Sequence, residues 1–383
     1  MKIGDIAKFQ NGFAFKSKDF KRNGEFPIIK IKELKDGEVK FFSDSAYVDV
    51  ELEDGYRKYL VQEDDILFAL TGDPVNKPNP LSWVGRVSIY KHKEKALLNQ
   101  RVCKLLPSKN VNPKYIYYFF RDFENFYKLA SLATGSASQA NISTKTIENV
   151  EIDLPPIEIQ NRVVEYLDAI SKKIEINNQI NNNLEQQVSV LYQSWFEDFE
   201  LTNGVCPENW QYQELSTIAD IASGKRPPVK ATGYNQETPF PIIGAASVMG
   251  FTSEANHSDK ILVTGRVGTH GVVQRFNTPC WASDNTLVIK SSYYEFTNQI
   301  LQRIDYSSMN RGSTQPLITQ GDMKKVSVLV PDEETLAKFE TFASALMNQW
   351  EANKQENVKL ASLRDTLLPK LMSGELDVSD IDL

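Results

Sequence analysis

Residues 157–199 read IEIQNRVVEYLDAISKKIEINNQINNNLEQQVSVLYQSWFEDF and contain neither proline nor glycine. A continuous helix is allowed here, because the two residue types that most readily end a helix are missing. Apolar side chains recur at alternating spacings of three and four residues, and two asparagines fill the gap between the apolar runs. This period, held over about five heptads, is typical of a coiled-coil seam. The seam positions are Val163, Leu167, Ile170, Ile174, Asn177, Asn181, Leu184, Val188, Leu191 and Trp195.

A second stretch carries the same seam 176 residues further along the chain, again with two asparagines at the matching positions. Buried seam asparagines cost stability but fix the register, because a slipped pairing would leave their amides without partners. We therefore predict that the two helices pair with each other, rather than packing separately as surface helices of their own domains. The second seam comprises Phe339, Ala343, Leu346, Trp350, Asn353, Asn357, Leu360, Arg364, Leu367 and Leu371.

The repeat extends into the segments that precede the helices. Residues 134–143 read TGSASQANIS, and residues 310–319, at the same offset, read NRGSTQPLIT. The offset also places VEIDLP at 150–155 on VSVLVP at 326–331. Similarity at a fixed offset indicates one structural unit used twice.

The segments outside the helices are mixed and β-rich by pattern, with short apolar runs bounded by turn residues. Residues 113–131 predict a single helix, whose many aromatic side chains we expect in the core. The predicted fold class is α+β: two mixed, β-rich domains separated by a long antiparallel two-helix coiled coil, with a pseudo-two-fold internal repeat. Strands are predicted at 26–31, 65–70, 84–90, 96–106, 242–243, 261–263, 271–276 and 286–289.

The composition is that of an ordinary globular protein, with 41% hydrophobic and 24% charged residues. The chain has no run of 18 apolar residues and no apolar signal core at its start, so we expect neither a membrane span nor export. Three scattered cysteines, Cys103, Cys206 and Cys280, indicate reduced thiols in the cytoplasm. With no CxxC pair and three histidines, we expect no metal site, and no motif calls for a cofactor.

The net charge of −7 is unevenly distributed. Residues 1–150 carry +5 and residues 205–330 carry +1, whereas residues 151–204 carry −7 and residues 331–383 carry −6. Phosphate attraction is local, because charges farther apart than about 10 Å are largely screened. The acidic total therefore leaves nucleic-acid binding by the two β-rich segments open.

Duplicated β-rich segments, each followed by a Gly-Ser loop and a heptad helix, resemble the specificity subunit of type I restriction-modification systems. The match is carried by IDLPPIEIQ at 152–160, LYQSWF at 191–196 and LRDTLLPKLMSGEL at 363–376. IAKFQNG at 6–12 and IADIASGK at 218–225 open the two segments in the family's manner. The order and duplication of these motifs over essentially the whole chain make the resemblance specific.

The resemblance implies a domain organisation and a role. Each target-recognition domain would read one half of a split, asymmetric site in double-stranded DNA. The helices would set the unread spacer, at roughly 3.4 Å of axis per base pair. Two modification subunits with methyltransferase chemistry would dock along the helices, and restriction subunits would add translocation and cleavage, so this chain itself would not be an enzyme. The implied divisions are target-recognition domains at 1–153 and 204–330, spacer helices at 154–203 and 331–376, and a tail at 377–383.

The candidate DNA contacts are polar and charged residues on the predicted loops. Base edges in the major groove are read by Arg, Lys, Asn, Gln, Ser and Thr, and phosphates are bound by cations and hydroxyls. An ordinary solvated side chain is the alternative at each position. The candidates in the first domain are Lys16, Lys18, Thr71, Lys77, Arg86, Gln100, Arg101, Ser136, Ser138 and Gln139. Those in the second domain are Lys225, Arg226, Arg266, His270, Ser283, Asn285 with its neighbour Asp284, Arg311, Ser313 and Gln315.

Two other functions are compatible with the sequence: a coiled-coil adaptor that binds protein, and a stand-alone nuclease. The nuclease hypothesis depends on Glu33-Leu34-Lys35 with Asp19 or Asp36 as metal partner, although a surface strand end of alternating charge explains this segment better. The chain contains neither a GxxxxGK[ST] loop nor the [DN]PP[FY] tetrapeptide of adenine methyltransferases. His257 and His270 lack a recognisable nucleophile motif.

Overall fold

The computed structural model of the chain describes residues 1–52, 55–309, 311 and 317–376. Its backbone contacts divide the chain into two compact units. Unit 1 contains Met1–Ile176 and the chain from Glu356 onward, and unit 2 contains Asn177–Gln355. Each unit therefore combines a β-rich portion with part of both long helices. The predicted tail, 377–383, lies outside the described residues.

Two helices of 40 residues each occupy the stretches in which the heptad pattern occurs. The helix α5 starts three residues after the predicted boundary, because Pro155 and Pro156 each disfavour a helical conformation of the residue before them. The helix α8 starts two residues after its predicted boundary, where Asp332 accepts a hydrogen bond from the backbone of Thr335 at 2.9 Å and caps the helix. The α-helices, numbered along the chain, are α1 (Ile3–Ile6), α2 (Pro113–Arg121), α3 (Phe123–Ser131), α4 (Thr144–Glu148), α5 (Ile157–Phe196), α6 (Tyr294–Arg303), α7 (Gln320–Lys324) and α8 (Glu333–Met372).

Unit 1 contains thirteen strands among its described residues. The first sheet has the order β1-β11-β7-β9-β4-β3, a second has the order β5-β2-β10-β6, and a hairpin forms the third as β12-β13-β8. The strands are β1 (Ala7–Asn11), β2 (Phe26–Ile29), β3 (Leu34–Lys35), β4 (Glu38–Val39), β5 (Tyr47–Val48), β6 (Leu60–Val61), β7 (Ile66–Ala69), β8 (Thr71–Gly72), β9 (Val87–Ile89), β10 (Ala96–Leu98), β11 (Val102–Pro107), β12 (Thr134–Ser136) and β13 (Gln139–Asn141).

Unit 2 repeats the central part of this arrangement. Its sheets have the orders β15-β21-β18-β19, β17-β16-β20 and β14-β22. The strands are β14 (Gln211–Glu214), β15 (Asp220–Ser223), β16 (Phe240–Ile243), β17 (Val248–Thr252), β18 (Ile261–Gly265), β19 (Gln274–Phe276), β20 (Trp281–Ala282), β21 (Thr286–Lys290) and β22 (Ser327–Val330).

The two units share strand order and strand sense. The run β1-β11-β7-β9 is antiparallel throughout, as is β15-β21-β18-β19. A second sheet in each unit contains an equivalent parallel pair, β2 with β10 in unit 1 and β16 with β20 in unit 2, and unit 1 has a further parallel pair between β4 and β9. The internal repeat inferred from the sequence is therefore a repeat of topology.

The junction with the long helices is duplicated at the predicted offset of 176 residues. Ser143 caps α4, accepting a hydrogen bond from the backbone of Thr146 at 3.0 Å. Thr319 caps α7 in the same way, accepting from the backbone of Asp322 at 3.1 Å. Such caps satisfy an amide that would otherwise lack a partner in the first turn of a helix.

The apolar faces of the long helices form part of each unit's core. In unit 1, Val163 and Leu167 of α5 belong to the same buried cluster as Leu368 and Leu371 of α8. In unit 2, Val188 and Tyr192 of α5 share a cluster with Phe339 and Ala343 of α8. Burying one such side chain contributes roughly 1.5–3 kcal/mol, so the helices stabilise the units they cross.

Two of the predicted seam asparagines bond directly within unit 2. The Asn353 side chain donates to Oδ1 of Asn181 at 2.9 Å, and Nδ2 of Asn181 donates to the carbonyl of Trp350 at 3.1 Å. Both asparagines are buried, as is Asn177. This pairing satisfies polar groups that would otherwise cost free energy in an apolar seam.

The predicted single helix over 113–131 is wrong, because it breaks at Asp122. This buried side chain caps α3 by accepting from the backbone of Asn125 at 3.1 Å, which restarts the helix in a new direction. The aromatic residues of α2 are mostly buried as expected, but Phe123 and Tyr127 of α3 are 58% and 46% exposed. Their rings pack against the buried Trp83 but stay largely exposed, so they are not core residues.

The interpretation of Glu33 as part of a surface strand end is also wrong. Glu33 is fully buried and accepts hydrogen bonds from Oγ of Ser45 at 2.9 Å and from the backbone of Lys30 at 3.0 Å. Burial raises the pKa of its carboxyl, and the Ser45 hydrogen bond partly opposes that rise. Glu33 closes a loop from inside the domain and presents no carboxylate to solvent.

Candidate nucleic-acid interface

In unit 1 the predicted contact loops meet around a β-turn at 99–102, here named turn 1. The amide of its last residue donates to the carbonyl of its first at 3.0 Å. The amide of Leu70 donates to the carbonyl of Arg101 at 2.9 Å, and the amide of Ile142 donates to the carbonyl of Leu70 at 3.0 Å. The amide of Phe13 donates to the residue just before the turn at 2.9 Å. Four loops that are distant in sequence are thereby joined through their backbones.

Unit 2 repeats these bonds around a β-turn at 283–286, here named turn 2. Its closing hydrogen bond is also 3.0 Å. The amide of Arg266 donates to the carbonyl of Asn285 at 2.8 Å, and the amide of Ile318 donates to the carbonyl of Arg266 at 2.9 Å. The amide of Lys225 donates to the residue before the turn at 3.0 Å. Arg101 and Asn285 therefore occupy the same position in two copies of one loop cluster.

A glycine permits the closest loop approach in each cluster. A Cβ on Gly12 would lie 2.1 Å from the carbonyl oxygen of Asn99, and a Cβ on Gly224 would lie 2.1 Å from that of Ser283. Any side chain would push the loop away from the turn, since these neighbours are backbone atoms. The glycines that open the two domains in sequence are thus required by geometry.

The Gly-Ser loop of unit 1 forms the hairpin β12–β13, which pairs with β8. Oγ of Ser136 lies 3.1 Å from Oγ of Ser138 and accepts from the backbone of Gln139 at 3.2 Å. In unit 2, Arg311 forms an ion pair with Asp322. Ser313 and Gln315 lie outside the described residues.

Most of the predicted contact residues are exposed on these loops, so they are available to a ligand. Several carry a positive charge, which favours phosphates. The exposed candidates are Lys16, Lys18, Lys77, Gln100, Arg101, Ser136, Ser138, Gln139, Lys225, Arg226, Asn285 and Arg311.

Two predicted contacts are withdrawn because the structure buries them. Thr71 is 3% exposed, and its hydroxyl donates to Oδ1 of Asn141 at 2.8 Å, which ties β8 to the hairpin. Ser283 is 1% exposed at the start of turn 2. Neither hydroxyl reaches the surface, so neither is placed to contact a ligand.

Three more candidates are partly buried. The Arg86 guanidinium donates to the carbonyl of Leu81, and burial lowers its pKa. Arg266 contributes its backbone to the loop cluster, and Nδ1 of His270 lies 3.1 Å from the carbonyl of Gly265. The Arg86 and His270 side chains thus contact carbonyls within the loops, and all three residues stay predicted contacts.

Two residues that hold turn 2 in place were not identified from the sequence. Asn256 makes two hydrogen bonds to the backbone of Ala282, at 2.8 and 3.1 Å, and the Trp281 indole donates to the carbonyl of Lys225 at 2.7 Å. These partners are 26 and 56 residues apart, and no local pattern marks them.

Within the described ranges, no three His, Cys, Asp or Glu side chains come close enough together to hold a metal ion. None of the helices in that same part of the chain combines the length and apolar character of a membrane span.

Comparison with known proteins identifies the class. The family model for the type I restriction modification DNA specificity domain matches residues 1–186 and 207–361, and the chain belongs to this family. The two matched stretches correspond to the two copies of the repeat. DNA target recognition as a specificity subunit is the role that the family carries.

Individual relatives agree along most of the chain. The MjaIX type I restriction enzyme specificity subunit of Methanocaldococcus jannaschii is 25% identical over 336 residues, covering 78% of this chain and 76% of the relative. The HindI specificity subunit of Haemophilus influenzae is 20% identical, covering 66% and 74%. A solved type I S subunit from M. genitalium has the same fold, with a TM-score of 0.59, 16% identity, and coverage of 99% of this chain and 96% of that one.

Proposed function

We propose that each loop cluster reads one half of a split, asymmetric target in double-stranded DNA, with recognition domains at 1–153 and 204–330. The observation that carries this proposal is the same backbone hydrogen-bond network in both units, bearing different exposed side chains at equivalent positions. Because the two loop clusters have the same backbone geometry, they would approach DNA in the same way. Because their exposed side chains differ, they would recognise different bases, which gives two different half-sites. The exposed lysines around the turns, together with Arg226, would hold the phosphates.

We further propose that the helical segments 154–203 and 331–376 pair antiparallel along their length and separate the two recognition domains. The hydrogen bond between Asn181 and Asn353 and the shared apolar clusters within each unit support this arrangement. A rigid pair would set the unread spacer, at roughly 3.4 Å of axis per base pair. It would also give the chain pseudo-two-fold symmetry.

The partners we propose follow from the family. Two modification subunits would dock along the helices and supply methyltransferase chemistry, and restriction subunits would supply translocation and cleavage. The acidic charge of the helical segments, −7 over 151–204 and −6 over 331–383, suits basic partner surfaces. In this proposal the chain works in the cytoplasm and has no catalytic site or cofactor of its own.

The proposal is tested by exchanging residues 204–330 for the corresponding domain of a relative. DNA methylated by the resulting complex is then sequenced. One half of the target should change, while the other half and the spacer length stay the same. A change in both halves, or in the spacer alone, would contradict the assignment of one half-site to each domain.

Binding of a labelled duplex across a salt series separates a DNA reader from a protein adaptor. The assay uses the chain with its modification partner. A reader should lose affinity steeply as salt rises, because each neutralised phosphate releases counterions. An adaptor should show no salt-dependent duplex binding.

The stand-alone nuclease remains the least supported function. Its central carboxylate, Glu33, is fully buried and bonded to Ser45. Cleavage of DNA by the chain alone, lost in a Glu33→Gln variant, would overturn our assignment. We expect no cleavage by either protein without partners.

A further inference from the structure

The tips of turn 1 and turn 2 are held rigidly at equivalent places. Besides the bonds described above, the amide of Asn99 donates to the carbonyl of Ile29 at 3.0 Å, and the amide of Ser283 donates to that of Ile243 at 3.1 Å. Each turn is thus fixed at its first residue, across its ends and at its third residue. A side chain on such a turn starts from a defined position, as precise recognition requires.

The third residue of each turn presents an unoccupied bidentate group. Arg101 in turn 1 and Asn285 in turn 2 are both exposed. Among the described residues, neither the guanidinium of Arg101 nor the amide of Asn285 has a side-chain hydrogen bond or ion pair. In contrast, the neighbouring Arg86 and Arg311 are engaged with a carbonyl and a carboxylate. Only unengaged groups are free to read a ligand without first losing a partner.

The charge at the tip of turn 2 indicates what the tip faces. Asp284, the residue before Asn285, is exposed, and the turn itself carries no cation. A carboxylate at this place would be repelled by phosphates but can accept a hydrogen bond from a base amino group. The tip of turn 2 therefore suits base edges, and turn 1, which is held by the same backbone bonds, suits them too.

We infer that Arg101 and Asn285 are equivalent specificity-determining residues, Arg101 reading a guanine in one half of the target and Asn285 an adenine in the other. The guanidinium matches the O6 and N7 acceptors of guanine, and the asparagine amide matches the donor and acceptor of adenine at N6 and N7. This inference rests on the proposed function and assigns individual bases to it. It also requires that the two half-sites contain these bases.

The experiment selects duplexes from a randomised pool with the specificity subunit and its modification partner, and sequences the bound DNA. The wild-type complex should select a split motif with a conserved guanine in one half and an adenine in the other. Arg101→Asn should change the guanine position and leave the other half intact. Asn285→Arg should change the adenine position toward guanine in the second half alone. The unchanged half reports that each variant is folded.

Arg101→Ala should lower discrimination at its position by roughly 5- to 150-fold, the range expected for one bidentate base contact. Arg22→Asn is the matched control for Arg101→Asn, because Arg22 is also an exposed arginine of unit 1. Arg22 precedes the start of β2, whereas turn 1 is hydrogen-bonded to Ile29 at the end of that strand. The control should keep the motif unchanged.

Several results would overturn the inference while leaving the proposed function standing. A split motif without a guanine in one half would do so, as would an Arg101→Asn complex that selects the unchanged motif but binds every sequence more weakly. The latter result would make Arg101 a phosphate contact. If the wild-type complex selects no split motif at all, the proposed function itself fails.

Discussion

Both units attach a short helix to a long one, and they do so with different chemistry. In unit 1, Oε1 of Gln160 on α5 accepts from the amide of Asn112 at the start of α2, at 2.9 Å. Asp168, also on α5, accepts from the Tyr118 hydroxyl at 2.6 Å and from Nζ of Lys114 at 3.1 Å. The neutral side-chain amide of Gln160 therefore accepts the hydrogen bond from the backbone at the start of α2. The Asp168 carboxylate instead binds two side chains of α2.

In unit 2 a carboxylate satisfies the helix start. Glu340 on α8 accepts from the first-turn amides of Glu295 and Phe296 in α6, at 3.2 and 2.8 Å. Glu295 is itself fully buried and binds Arg275 through two contacts of 2.7 Å. Burial raises the pKa of Glu340 to about 7, and the nearby Glu295 charge adds to the rise.

The difference shows that a duplicated backbone need not keep duplicated side-chain chemistry. The start of a helix needs hydrogen-bond acceptors, and an amide oxygen serves as well as a carboxylate oxygen. Only the carboxylate titrates, so we expect the anchor of α6 to depend on pH and the Gln160 anchor of α2 not to. The following predictions test this contrast, beginning with the largest effect.

Arg275→Met should destabilise unit 2 by about 3–5 kcal/mol, because it leaves the buried Glu295 without its main partner. Hydrogen exchange of the 294–303 segment measures the effect, and exchange of 113–121 should change little. Lys260→Met is the matched control, with an effect below about 1 kcal/mol, since the Lys260 side chain is 44% exposed. Equal losses in both variants would contradict the leading role of Arg275.

Gly12→Ala and Gly224→Ala should each destabilise their own unit by about 1–3 kcal/mol, because the new methyl group collides with a backbone carbonyl. Here the two units should respond alike. Exchange of the amides in turn 1 and turn 2 measures each effect, with Gly233→Ala as the control, since a Cβ there meets no atom within 4 Å. A loss in one unit alone would break the proposed equivalence of the loop clusters.

Glu340→Gln should remove a pH dependence from unit 2. The folded-state pKa of about 7 exceeds the ordinary value of 4.5, so the folded chain binds this proton more tightly. The contribution of Glu340 to stability therefore falls as pH rises from about 4.5 to about 7 and is level above that.

The variant should consequently be more stable than wild type at pH 8, by about 1–2 kcal/mol, and similar at pH 4.5. A fully buried carboxyl would contribute about 1.4 kcal/mol for each unit by which its pKa is raised. The expected total is smaller than that, because Glu340 is partly exposed. Exchange of the 294–303 segment at the two pH values provides the measurement. Gln160→Glu should create a corresponding slope in unit 1, and a wild-type unit 2 without a slope would refute the contrast.

Tyr118→Phe should destabilise unit 1 by about 1 kcal/mol, the smallest effect of the series. It removes one hydrogen bond to the Asp168 carboxylate, which keeps its ion pair with Lys114. The loss should be the same at pH 6 and pH 8. Exchange of 113–121 checks it, and Tyr127→Phe, on the exposed face of α3, is the control. A loss that varies between these pH values would show that a titrating group controls this anchor as well.

The repeat, the long helices and the glycines of the loop clusters were predictable because each leaves a local or periodic mark. The heptad pattern located α5 and α8, and the 176-residue offset matched Ser143 with Thr319, which cap equivalent helices. The break at Asp122 was not predictable from the sequence. An aspartate within an apolar stretch can lie inside one helix or cap a second one, and the packing of the flanking segments decides between the two. Burial of Thr71 and Ser283 was missed because hydroxyl residues occur equally at surfaces and in strand ends.

The sequence by itself determined the duplicated architecture, since periodicity and internal similarity depend only on spacing along the chain. It also determined which residue types could meet DNA. Only the tertiary structure decided which of those side chains are exposed, that Arg101 and Asn285 hold equivalent positions, and that one unit uses an amide where the other uses a carboxylate. These features depend on contacts between residues such as Leu70 and Arg101, or Phe296 and Glu340, which are far apart in sequence and are brought together only by packing.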